Sequence, residues 1–171
     1  MKIDTFESVG TFHEKFDLPI ASRTPPAFPP EDVLRFRGAF LLEETAEFFE
    51  ACGMPQIAQT IKNIGKAIQT SEGSLVIAPQ DLDKAADALG DLKYVTDGTA
   101  HMMGIPFNEV FTEIQRANMA KERATGADDP RNTRPHALNV VKPAGWTPPD
   151  HTKALDVHRN FMEQLQRATD A

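Results

Sequence analysis

Four carboxylates are set among large apolar residues in Phe40-Leu41-Leu42-Glu43-Glu44-Thr45-Ala46-Glu47-Phe48-Phe49-Glu50. An α-helix turns about 100° per residue, so Glu43, Glu47 and Glu50 fall on one stripe, and Glu44 lies beside Glu47 at the i+3 position. Like charges at that spacing repel, while Phe40, Leu41, Phe48 and Phe49 on the same turns call for burial. Carboxylates at the edge of a core need a cation, a base or a raised pKa. No Lys or Arg lies between Gly38 and Gln56, which makes a divalent metal the attractive partner; a solvated acidic face is the alternative.

A second acidic pair strengthens the metal reading. In Ala85-Ala86-Asp87-Ala88-Leu89-Gly90-Asp91-Leu92, two aspartates stand one helical turn apart at i and i+4. The small residues Ala85, Ala86, Ala88 and Gly90 let another helix approach closely, so two acidic faces could meet around a cation. Several carboxylates with no His or Cys cluster suit a hard cation such as Mg²⁺.

The elements that must position these residues are helices. Phe6, Val9, Phe12 and Phe16 predict a short amphipathic helix over residues 5–16. Pro19, Pro25, Pro26, Pro29 and Pro30 then impose an extended strap, in which Arg23 is either plain linker or a contact for an anion. Glu31 and Asp32 after Pro30 begin the acidic helix, which stops near Gly53 and Pro55. Arg35 and Arg37 precede the carboxylates and read as ion pairs, with phosphate contact second. Ile57, Ile61, Ile64 and Ile68 form an apolar stripe on a third helix; Lys62 and Lys66 lie on its other faces, solvated or turned to the acids.

Leu75-Val76-Ile77 is a loop or a packed edge segment. Pro79 is expected to open a fourth helix that buries Leu82, Ala85, Ala86, Leu89, Leu92 and Val95 and ends at Gly104. Asp97 and His101 on it are one turn apart, spaced for an ordinary hydrogen bond, with metal binding second. Ile105-Pro106 starts a fifth helix, whose end carries Arg116, Asn118, Lys121, Glu122 and Arg123; its cations suit a helix C-terminus or phosphates. Residues 124–150 lose periodicity and form a tail or binding loop in which Trp146 packs onto the body or stacks on a base. A polar helix over 151–171, carrying Leu155, Phe161, Met162 and Leu165, closes the chain.

With 171 residues and a net charge of −7, the chain is long enough for one domain with extensions, and it lacks the basic stripe of a sequence-independent nucleic-acid binder. Cys52 is the single cysteine, so neither an intrachain disulfide nor a Cys-rich zinc site can be built. An apolar leader and a run of about 18 apolar residues are both absent, so a cytoplasmic protein without a membrane partner is expected.

Taken in order, Glu43-Glu44-x-x-Glu47, Asp87-x-x-x-Asp91-x-x-Tyr94-Val95, Gly104-Ile105-Pro106, Ala117-Asn118-Met119-x-Lys121 and Lys142-Pro143-x-Gly145-Trp146 resemble the all-α NTP pyrophosphatase superfamily, in its MazG-like and phosphoribosyl-ATP pyrophosphohydrolase-like branch. The resemblance covers most of residues 31–123. It implies an all-α antiparallel helical bundle over 1–123, with the Pro-rich N-terminal strap, and an irregular C-terminal extension over 124–171. It also implies a homodimer or dimer of dimers whose acidic helices bind Mg²⁺ or Mn²⁺, and cleavage of a (d)NTP between the α and β phosphates to give (d)NMP and pyrophosphate. Phage members of the branch include enzymes acting on (d)GTP, so a purine-selective enzyme of phage nucleotide metabolism, working in the host cytoplasm, is one expectation.

Residue by residue, Glu44 and Glu47 match the first Glu-x-x-Glu pair and are the catalytic and metal candidates, with Glu43 as neighbouring acid. Asp91 matches the last aspartate of the second acidic motif. Ala88 stands where that motif has Glu, and Asp87 is one residue earlier, at a spacing that still permits ligation. Asn118 and Lys121 match positions that contact phosphates or sugar, and Tyr94, Lys142 and Trp146 are the remaining substrate-binding candidates. Glu47 would orient or deprotonate the attacking water and Lys121 would stabilise the leaving pyrophosphate.

Other nucleotide and metal enzymes are poorly matched. The sequence has no Gly-x-x-x-x-Gly-Lys loop, no Gly-x-Gly-x-x-Gly, no Glu-x-x-His pair and no His-Asp dipeptide. The rival from another class is a non-catalytic helical bundle that binds nucleotides or proteins.

Overall fold

Helix starts and stops follow from local chemistry. In the computed structural model, which describes residues 3–126, 129–132, 136 and 138–169, Asp4 caps helix α1 (Thr5–Lys15), its carboxylate accepting the amides of Phe6 and Glu7 at 3.0 and 3.1 Å. Asp17, at φ 49°, ends that helix in the left-handed region. The strap that follows contains a single 3₁₀ turn, Ala21–Arg23, and Arg23 pairs with Glu14 at 2.6 Å.

Helix α2 (Glu31–Ala51) begins directly after Pro30 with two acidic residues in its first turn. Gly53, at φ 79°, stops it, and the Met54 amide reaches back to the Phe49 carbonyl at 2.9 Å. Helix α3 (Pro55–Thr70) then starts on Pro55. Further on come α4 (Leu82–Met102), α5 (Phe107–Met119), a two-residue antiparallel ladder of β1 (Glu122–Arg123) with β2 (Val140–Val141), and α6 (Thr152–Thr169). The fold is all-α, with that ladder as its only sheet among the described residues.

The chain divides into two compact units, Pro26–Ala85 and Met1–Pro25 with Ala86–Ala171. In the first, α2 packs on α3 through small residues: Ala39 and Ala46 of α2 and Ala58 and Gly65 of α3 are buried. A Cβ added at Gly65 would lie 3.7 Å from Leu42 Cβ and 3.8 Å from the Ala39 carbonyl oxygen, so the two backbones run close there. This corrects the expected stripe. Ile61 and Ile68 are partly covered, but Ile57 and Ile64 are 48% and 49% exposed, because the contact is made by the small residues beside them.

The N-terminal end of α2 is tied to the loop after α3. Glu31 accepts hydrogen bonds from the Ser74 hydroxyl (2.5 Å), the Leu75 amide (2.6 Å) and Arg35 (2.8 Å), while Arg35 also donates to the carbonyls of Ser71 and Gly73. The hydrogen bond from Ser74, then those from Leu75 and Arg35, hold the Glu31 carboxyl down at about 2. Leu75-Val76-Ile77 is thus a loop fixed by polar contacts.

In the second unit α1 lies against α5: Gln115 donates to the Ser8 carbonyl at 2.6 Å, and the Lys15 ammonium caps the carbonyls of Met119 and Lys121. Helix α4 starts at Leu82, later than Pro79, because Asp81 takes the Lys84 amide on its carboxylate at 3.1 Å. Gly104, at φ 64°, stops it as expected. Its expected apolar face is largely uncovered in the single chain: Leu82, Leu89, Leu92 and Val95 are exposed, Ala85 is partly covered, and Ala100 is the buried residue. Near the ladder, buried Asp129 accepts from Arg131 and from the Thr125 amide, and the Arg131 hydrogen bonds hold its carboxyl far below the usual range. Residues 127, 128, 133–135 and 137 of the irregular extension lie outside the described residues.

Candidate active site

The acidic ladder of α2 is formed as the periodicity requires. Glu43 is half-buried, and Glu44 and Glu47 are exposed beside exposed Leu41 and Phe48. A cation from the facing helix reaches this ladder. Lys62 Nζ of α3 lies 2.5 Å from Glu50 Oε2. The hydrogen bond to Glu50 raises the Lys62 pKa, desolvation opposes it, and the fields of Glu50, Glu47 and Glu43 add to the rise. No local sequence signal couples Glu50 to Lys62; the pairing follows from the antiparallel register that sets Gly65 against Ala39 and Leu42.

The second acidic pair stands on a different unit of the chain. Asp87, Asp91 and Tyr94 of α4 are exposed, Tyr94 at 80%. Asp97 accepts a hydrogen bond from Lys93 at 2.9 Å, one turn back on α4.

The phosphate-contact candidates sit at the end of α5. Asn118 and Lys121 are half-buried, and the turn that carries them is held from several directions. Trp146 donates its indole N–H to the Ala117 carbonyl at 2.7 Å, and the Lys142 ammonium lies 4.5 Å from the Trp146 ring centroid. Arg116 pairs with Glu113 at 2.9 Å, lowering the Glu113 pKa, and reaches Thr147 Oγ1 and the Pro148 carbonyl at 3.2 and 3.0 Å. Trp146 and Arg116 therefore bind the tail to α5, and Lys142 packs on the Trp146 ring. A cavity of about 560 Å³ between Pro106, Glu109 and Glu113 on one side and Lys153, Val157 and Phe161 on the other is lined by none of the predicted site residues.

The sequence model of one family, phosphoribosyl-ATP pyrophosphohydrolase, matches residues 9–118. The chain belongs to this family. It is therefore a member of the MazG-like all-α NTP pyrophosphatase superfamily and a nucleotide pyrophosphohydrolase, an enzyme that acts on an acid anhydride. The match includes both acidic motifs and ends at Asn118, leaving Lys121, Lys142, Trp146 and α6 outside it. Neither a curated protein nor a solved structure matches.

Divalent metals are typical of this family. The donor set fits a hard cation, being carboxylate oxygen throughout, and the Lys62 ammonium at the ladder marks the face as one that attracts positive charge. Among the described residues no three Asp, Glu, His or Cys side chains converge into a metal cluster. None of the described helices is long and apolar enough to cross a membrane.

Proposed function

We propose that the chain is a divalent-metal-dependent nucleoside triphosphate diphosphohydrolase that converts a (d)NTP to (d)NMP and pyrophosphate. The observation that carries this reading is the Glu43–Glu44–Glu47 ladder on α2, an all-oxygen donor set inside the matched span. Glu43, Glu44, Glu47, Asp87 and Asp91 would hold Mg²⁺ or Mn²⁺, which when bound offsets phosphate charge and acidifies water. Glu47, exposed on the ladder, is the base that orients the attacking water, with Glu44 one turn away as its catalytic partner. Asn118 and Lys121, on a turn stiffened by Lys15 and Trp146, contact the phosphates, and Lys121 meets the charge on the departing pyrophosphate. Tyr94 lies on the helix that carries Asp87 and Asp91, where it borders the sugar or base.

The exposed Leu89, Leu92 and Val95 beside that acidic pair support a homodimer in which this face is covered. A purine triphosphate such as (d)GTP is the proposed preference and the cytoplasm the proposed compartment. The family's name supports a second reading, phosphoribosyl-ATP as substrate. Both readings break the same α–β anhydride and are separated by including that compound in a substrate panel. Glu47→Gln, folded by circular dichroism, is expected to lose about 100-fold or more in kcat; wild-type turnover in that variant would remove Glu47 from the chemistry.

A further inference from the structure

We propose that Lys62 is a built-in competitor for the divalent cation, a tethered ammonium that balances the Glu43–Glu47–Glu50 face when no metal is bound and sets how tightly the metal binds. This rests on the metal reading above. Three carboxylates along one stripe repel one another, and α2 supplies no cation between Gly38 and Gln56 to relieve them. A compensating charge comes from the facing helix. The close α2–α3 approach at Gly65 brings α3 within reach, and three residues earlier on α3 stands Lys62, its Nζ 2.5 Å from Glu50 Oε2.

The Lys62 side chain is 42% exposed and Glu50 56%, so the ammonium is held by charge and one hydrogen bond on an open face, free to swing outward. A divalent ion arriving at Glu43 and Glu47 meets this positive charge and must displace it or bind against its repulsion. Lys66, one turn further along α3, has the same charge but a different place in the register, which makes it the natural control.

The test is Mn²⁺ binding by calorimetry to the full chain, wild type and Lys62→Met, Lys62→Arg and Lys66→Met, with the metal-induced rise in melting temperature as a second readout. Lys62→Met is expected to bind Mn²⁺ roughly three- to tenfold more tightly, the scale of effect of removing one unit charge beside the acidic face in screened solvent. It should also melt lower without metal and gain more from it. Lys62→Arg, which keeps the charge, should stay within about twofold of wild type, and Lys66→Met should change less than Lys62→Met. Equal or weaker binding by a folded Lys62→Met overturns the proposal and makes Lys62 a helix-to-helix tie. Absence of Mn²⁺ binding by the wild type overturns the metal reading and this proposal with it.

Discussion

Gly65 offers the sharpest test of how the acidic ladder is positioned. An added methyl there would lie 3.7 Å from Leu42 Cβ and 3.8 Å from the Ala39 carbonyl, ordinary van der Waals contact that demands no movement. Gly65→Ala therefore keeps the helix spacing and gains the helix propensity that glycine lacks, about 0.8–1 kcal/mol in a helix interior. For a chain of this length that gain raises the melting temperature by roughly 2–4 °C. Gly65→Leu is expected to do the opposite. Its three further carbons have no room between Leu42 and Ala39, and overpacking costs about 1–3 kcal/mol, more than the propensity returns. The helices must spread, and Lys62 is drawn off Glu50. Thermal melts at one fixed protein concentration, followed by far-UV circular dichroism, measure both variants. A lower melting temperature for Gly65→Ala would contradict the room for a methyl at this spacing, and an unchanged one for Gly65→Leu would refute the close α2–α3 approach on which the register of Lys62 and the ladder depends.

Two further outcomes follow from other parts of the chain. Because the folded Glu31 carboxyl sits at about 2, below its ordinary value of 4.5, its contribution is fully present above pH 4.5 and is lost as the pH falls toward 2. Protection of the Leu75 amide, taken relative to its intrinsic exchange rate at each pH, should fall across that window in the wild type, and should be low at every pH in Glu31→Gln. Trp146→Phe removes the N–H that satisfies the Ala117 carbonyl and is expected to cost about 0.5–1.5 kcal/mol, with faster exchange around residues 117–121. A variant as protected there as wild type would deny Trp146 its role in stiffening the Asn118–Lys121 turn.

Much of the architecture was legible because helix termini are written locally. Pro30 before Glu31, and Gly53 and Gly104 at positive φ, mark ends that need only neighbouring residues to form. Burial was less legible. Periodicity on α3 pointed to its isoleucines, yet Ala58 and Gly65 make the contact, since close helix approach selects for small side chains and leaves Ile57 and Ile64 to one side. On α4 the stripe of Leu89, Leu92 and Val95 was visible, but a stripe says that a face is apolar without saying what covers it. The acidic ladder itself was readable from spacing. Its counter-ion, Lys62, joins Glu50 across a helical hairpin, and no sequence period encodes such a pair. Two-residue strands likewise carry no period, so the pairing of Glu122 with Val141 had no signal.

The most direct test of metal-dependent α–β cleavage is product analysis from a panel of ribo- and deoxyribonucleoside triphosphates together with phosphoribosyl-ATP, each with Mg²⁺, with Mn²⁺ and with chelator. Equimolar pyrophosphate and nucleoside monophosphate, formed with either metal and abolished by chelator, is the predicted result, with a purine triphosphate turned over fastest. Release of inorganic phosphate with a nucleoside diphosphate, or turnover that survives complete chelation, would contradict it.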